Sequence, residues 1–271
     1  MIFFFVSCNS TITSPPFETE MISFAQSTFD MGMPDVEIGP YGNSWKETAQ
    51  PQHEVTLSAF AIDKTEVPVW QYISFLNSIE QDNEYASLAH THPLQDIQWD
   101  GNEYSVEPER ENLPITYVSY YDALTFCSWR GSSLPTEAMW ERAAKGGDRE
   151  NPRSYPWEEA GVTCQKASYY THATLCSQAP LPVTAHEKGA TPEGILNLGG
   201  NVSEWVWDWY ARYEEDSATN PRGPTSGEYK ILRGGGFRDT RDAMRATDRV
   251  MANPLSRSEG VGFRCGHEVQ P

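Results

Sequence analysis

Polar and apolar residues alternate over Ser203-Glu-Trp-Val-Trp-Asp-Trp209, and Trp205, Trp207 and Trp209 fall on one side. That period predicts a strand whose ringed face needs a core. Shorter strand-like runs lie at 21–24, 27–32, 51–57, 231–237 and 260–265. Helical spacing replaces the two-residue period in three places. After Pro68, which suits a first helical turn, Val69, Tyr72, Ile73, Leu76 and Ile79 share a face. Ser119 and Asp122 form a capping-box start, Tyr120, Ala123, Leu124 and Cys127 share the buried side, and Gly131 ends the helix. Thr136 caps a third helix with Glu137 at its positive end. Glu137 and Glu141 stand one turn apart, a spacing shared by acid/base pairs and ordinary helix surfaces, and are given structural roles. Residues 81–112 show no period, apart from Trp99-Asp-Gly-Asn-Glu-Tyr104, which reads as a hairpin tip.

Composition narrows the class. With 20 Gly, 19 Pro and 12% aromatic residues, the 271-residue chain is a loop-rich globule with few helices, long enough for a substantial core and without an internal repeat. The 20 basic and 38 acidic side chains leave a net charge of −18, which argues against a nucleic-acid partner. Five cysteines show no C-x-x-C spacing, so structural zinc is not indicated. Cys164 and Cys176 bracket a short polar loop that a disulfide would close, and Cys8 is left over. The run Met1-Ile-Phe-Phe-Phe-Val-Ser-Cys8, followed by a polar stretch with prolines, resembles the end of a bacterial lipoprotein signal, with Cys8 as the lipidated residue. The plainer alternative is a hydrophobic end tucked into the core. Nothing else in the chain is long and apolar enough to cross a bilayer, so contact with a membrane would be only through that lipid anchor. His53 has no second ligand at metal spacing and is read as a hydrogen-bonded strand histidine.

Upstream of the tryptophans, Gly199-Gly200-Asn201 supplies residues that tolerate positive φ. In one reading Asn197 and Glu204 are hydrogen-bonded to the loop; in the other they and nearby carbonyls converge on a hard cation. The stretch Asn197-Leu-Gly-Gly-Asn-Val-Ser-Glu-Trp205 resembles the N-x-x-G-N-x-x-E-W signature of the formylglycine-generating enzyme (sulfatase-modifying factor) family. Further likenesses lie in Pro51-Gln-His-Glu-Val-Thr-Leu57 with Phe60-Ala-Ile-Asp-Lys-Thr-Glu-Val67, in Leu113-Pro-Ile, and in Leu134-Pro-Thr-Glu-Ala-Met-Trp-Glu. Tyr155-Pro-Trp157, with Glu158 in place of a glycine, Arg233-Gly-Gly-Gly-Phe237 and Gly262-Phe-Arg-Cys265 complete the set. The lipoprotein reading makes 1–20 a signal remnant and tether, and the family resemblance implies one α+β domain over 21–268, of the C-type-lectin-related kind with limited regular structure. It also implies structural calcium held by the side chains of Asn197 and Glu204 and the carbonyls of Gly200 and Val202. A disulfide between Cys127 and Cys265, and an oxidising compartment, follow from the same resemblance. The family's second calcium element is replaced here by Ala167-Ser-Tyr-Tyr170.

The family's oxidases bind copper(I) through two cysteines after the glycines, thiolates being the ligands that this soft ion selects. Here Asp239 stands near the first position and Ala243 or Met244 near the second, so copper is not expected. What the segment carries is a ladder of Arg233, Arg238, Arg241, Arg245 and Arg249 among Asp239, Asp242 and Asp248. Phe237, Arg238, Asp239, Arg241 and Arg245 are therefore candidates for binding a carboxylate or phosphate, against the alternative of an internal salt-bridge network. Three functions follow as expectations. The first is a lipoprotein of the bacterial envelope, periplasmic or surface-exposed, that serves as a non-catalytic module for an envelope protein or peptide partner. The others are a divergent oxidoreductase using non-cysteine chemistry and, against the missing thiols, the usual copper oxidase.

Overall fold

Strand β7 (Ser203–Trp209) is the partition of the molecule. Trp205 points into a core with Tyr72, Phe75, Phe126 and Phe263, while Val206 points into another with Phe29, Leu57, Trp140 and Ile231. The alternation therefore places apolar groups on both faces, where the sequence pattern assigned a core to one. The computed structural model describes residues 17–34, 48–79, 97–147, 149–150, 152–157 and 161–269. Cys8 and Glu158 lie outside them.

Four strands form the central sheet, in the order β10 (Arg249–Ala252), β9 (Lys230–Arg233), β7, β11 (Val261–Phe263), with β11 parallel to β7. A second sheet joins β1 (Met21–Phe24), β4 (Phe60–Asp63) and β12 (Gly266–Glu268). A third joins β2 (Ser27–Met31), β3 (His53–Leu57) and β8 (Ala218–Thr219). The expected hairpin is present as β5 (Gln98–Trp99) with β6 (Tyr104–Ser105). His53 lies on β3, its Nδ1 3.2 Å from the Pro51 carbonyl.

All three helices form where the spacing places them. Helix α1 (Val69–Ile79) buries Val69, Tyr72 and Leu76, and Phe75 with them. Helix α2 (Tyr120–Trp129) carries the full capping box: the Ser119 hydroxyl accepts from the Asp122 amide, and the Asp122 carboxylate accepts from the Ser119 amide at 2.7 Å. Helix α3 (Glu137–Lys145) starts at Thr136, whose hydroxyl accepts from the Met139 amide. Both disulfides, Cys127–Cys265 and Cys164–Cys176, are formed. The first ties α2 to the strand end before β12 deep in the core; the second closes a surface loop. With mixed sheets and separate helices around shared cores, the domain is α+β.

Candidate functional site

The glycine turn before β7 sits over a nest of buried charge. Asn197 and Asn201 adopt positive φ of 57° and 66°. Gly200 is required as glycine, since a Cβ there would stand 2.6 Å from the Ser168 carbonyl oxygen. The Asn197 Nδ2 donates to Glu66 Oε2 at 2.9 Å and to the Val183 carbonyl at 3.0 Å, and the Asn201 Nδ2 donates to Glu66 Oε1 at 2.9 Å. Burial lifts the Glu66 carboxyl to about 7, against the pull of the Arg264 guanidinium. Glu204 faces Arg264: its Oε2 accepts from Arg264 Nε at 2.7 Å and Trp140 Nε1 at 2.8 Å, and its Oε1 accepts from Arg264 Nη2 at 2.7 Å.

These contacts bear on the implied calcium. The Asn197 Oδ1 is buried without a partner, and the carbonyls of Gly200 and Val202 accept no hydrogen bond from the described residues. Native proteins leave few buried oxygens unpaired, and an ion is one of the ways such groups are satisfied. Glu204 Oε1 takes a single donor and keeps a lone pair. The residues thus fit a hard cation, with Asn197 Oδ1, the two carbonyls and a carboxylate oxygen shared with Arg264 as its holders. When bound, such an ion would cross-link the turn to the strand it precedes.

Beyond β9 the chain makes a second glycine turn. A Cβ on Gly235 would lie 2.5 Å from Met244 Cε and 2.8 Å from Ala243 Cβ, so the loop folds back tightly on itself. Asp239 Oδ2 accepts from the Gly236 amide at 2.8 Å, and Met244 is fully buried with Trp157, Ala167 and Tyr169. Asp239 and Met244 therefore both hold the loop in shape. Phe237 is a correction to the ligand candidates: it is completely buried, its amide bonded to the Asn201 carbonyl, because the preceding glycines turn it into the core. Arg238 and Arg241 are exposed, Arg238 pairs with Glu259 at 2.8 Å, and Arg245 pairs with Asp242 at 2.8 Å.

The ladder of arginines separates into two groups. Arg233 and Arg249 are buried, and their partners are the helix α3 glutamates: Arg233 Nη2 with Glu141 Oε2 at 2.5 Å, and Arg249 with both oxygens of Glu137 at 2.8 and 2.6 Å. Glu137 and Glu141 keep the structural roles expected of them, but on a buried face instead of a helix surface. The inner two belong to a buried network, and Arg238, Arg241 and Arg245 lie outside it, Arg238 and Arg245 in ion pairs of their own. Glu66 and Arg264 were not singled out by sequence reasoning. Their only signal was membership of the matching segments around Thr65-Glu-Val67 and Gly262-Phe-Arg264.

A family model described as the sulfatase-modifying factor enzyme 1-like domain matches residues 11–269. The chain belongs to this family. A serine/threonine-protein kinase named Pkn1 from Chlamydia trachomatis serovar L2 is 31% identical over 265 residues, which are 96% of this chain and 40% of that protein. The chain thus spans well under half the length of that relative. The formylglycine-generating enzyme of Mus musculus is 28% identical over 295 residues, 93% of this chain and 76% of the enzyme. Among solved structures, Treponema denticola variable protein 1 superposes with a TM-score of 0.68 at 22% identity, covering 95% of this chain and 98% of that one, a likeness of fold.

Proposed function

We propose that this sulfatase-modifying-factor domain is a non-catalytic binding or assembly module for a protein or peptide partner at the bacterial envelope, held there by a lipid on Cys8. The observation that carries this reading is the use of the loop after the glycines. Where the family's oxidases place two thiolates, Asp239 caps the Gly236 amide and the Met244 thioether is buried against the turn. A carboxylate engaged in this way and a lone thioether offer copper(I) no thiolate pair. All four cysteines among the described residues are in disulfides. A modular role also suits the kinase-named relative, in which the similar region is 40% of the chain.

The second reading, a divergent oxidoreductase without cysteine chemistry, draws support from the likeness to the mouse enzyme over nearly the whole chain. One experiment tests the non-catalytic reading against the copper chemistry of the family's oxidases. Purified protein incubated aerobically with copper and a Cys-x-Pro-x-Arg peptide is expected to retain no stoichiometric copper and to leave the peptide mass unchanged. Conversion of the peptide cysteine, seen by mass spectrometry, would overturn the non-catalytic reading.

A further inference from the structure

The two disulfides stand in opposite environments. Cys127 and Cys265 are fully buried, whereas Cys164 is exposed and Cys176 half-buried. The loop that the outer bridge closes is more than a surface excursion. Ala167, Ser168 and Tyr169 within it are buried, and with Trp157 and Met244 its apolar residues form a small separate core against which Cys176 packs. From this loop the Tyr170 amide donates to the Asp239 carbonyl at 2.7 Å, and Tyr170 bridges Thr240 in parallel. The Ser168 carbonyl accepts from the Asn201 amide at 3.2 Å, reaching the turn before β7. Both glycine turns of the candidate site therefore lean on one loop, and the bridge that closes that loop has an exposed cysteine at one end.

We infer that the Cys164–Cys176 bridge is a site of reversible thiol–disulfide exchange that sets the order of the loop bearing Arg238, Asp239 and Arg241. The reductant is a dithiol. One of its thiolates attacks the exposed Cys164 Sγ, forms a mixed disulfide and expels the Cys176 thiolate, which takes up a proton. The second dithiol sulfur then attacks the mixed disulfide and releases Cys164 as a thiol. Two electrons and two protons pass to the bridge, and the dithiol leaves as its own disulfide. The buried bridge is shielded from this attack because exchange needs an attacking sulfur to reach one in line. With the outer bridge open, the hydrogen bonds from Tyr170 and Asn201 lose the closure that holds their loop in place. The inference is independent of what the face binds.

The test is dithiothreitol treatment of the folded protein followed by alkylation and peptide mapping, with hydrogen exchange on the same samples. Cys164 and Cys176 are expected to label at least about tenfold faster than Cys127 and Cys265, as the attacking thiol's access to each sulfur dictates. Exchange at the Tyr170 and Asn201 amides should rise by a similar factor, while β7 keeps its protection. A Cys164→Ser/Cys176→Ser double variant should show the reduced pattern without reductant and lose its response to it. Equal labelling of the two bridges overturns the inference, as does a reduced protein whose Tyr170 and Asn201 amides exchange at the oxidised rate. If the double variant does not fold, labelling and exchange in the unaltered protein still decide the matter.

Discussion

Asp208, at the foot of β7, shows how burial sets chemistry at a single residue. Its Oδ2 accepts from the Glu137 amide at 2.7 Å, at the start of α3. Burial first, and then the neighbouring Glu137 carboxylate, lift its carboxyl from an ordinary 3.8 to about 7. The folded state thus binds this proton more tightly than the unfolded chain. Its stabilising contribution is complete below about pH 4 and is lost as the pH rises through about 7. Asp208→Asn retains an oxygen acceptor for the Glu137 amide and removes the buried charge. The variant should be more stable than the parent at pH 8 by on the order of 2–4 kcal/mol, with the gain vanishing near pH 4. Urea denaturation at the two pH values measures this, and equal stability at pH 8 would contradict the assignment. Lys230 is the counterpart on β9. Burial lowers its ammonium to about 8, while the Tyr120 and Trp209 rings, each 4.1 Å away, and the Trp207 carbonyl keep the charge solvated.

At the scale of elements, α3 locks the sheets together. Glu141 accepts from the Gly32 amide at 2.6 Å, just beyond β2, and pairs with Arg233 on β9, while Lys145 Nζ donates to the Asp30 carbonyl at 2.6 Å. One helix therefore fixes the end of one sheet against the middle of another. Removing a partner from a buried pair leaves an uncompensated charge, so Glu141→Ala should cost about 3–5 kcal/mol. Loss of the helix cap in Thr136→Ala should cost about 1 kcal/mol. Chemical denaturation of both variants tests the ranking, and a Glu141→Ala cost no larger than the cap's would show that the pair is solvated. Wherever a helix boundary depended on a cap, the sequence was enough to place it, because Ser119, Asp122 and Thr136 act on amides within three residues. The partners of Glu137 and Glu141 were not legible in this way, since Arg249 lies 112 residues from Glu137 and Arg233 lies 92 from Glu141.

For the whole molecule, the buried oxygens of the turn and the surplus of acidic groups both favour a bound cation. Calcium at 100 times its dissociation constant should stabilise the protein by about 2.7 kcal/mol. Asn197→Ala should lose most of that increment even after correction for its lower baseline. Thermal unfolding with calcium and with a chelator measures both, and an increment that survives in the variant would remove Asn197 from the site. The chain by itself determined three helices, two of them with their caps, the strand of tryptophans and the short motifs whose likeness to the family implied the α+β class. All of these depend on neighbours a few residues apart. The tertiary structure decided that β7 is covered on both sides, that Phe237 turns inward, and that Glu204 meets Arg264, 60 residues further on and just past the parallel strand β11. The physical reason is that sheet order and the pairing of buried charges are chosen among distant segments, where desolvation and packing act and local periodicity carries no information.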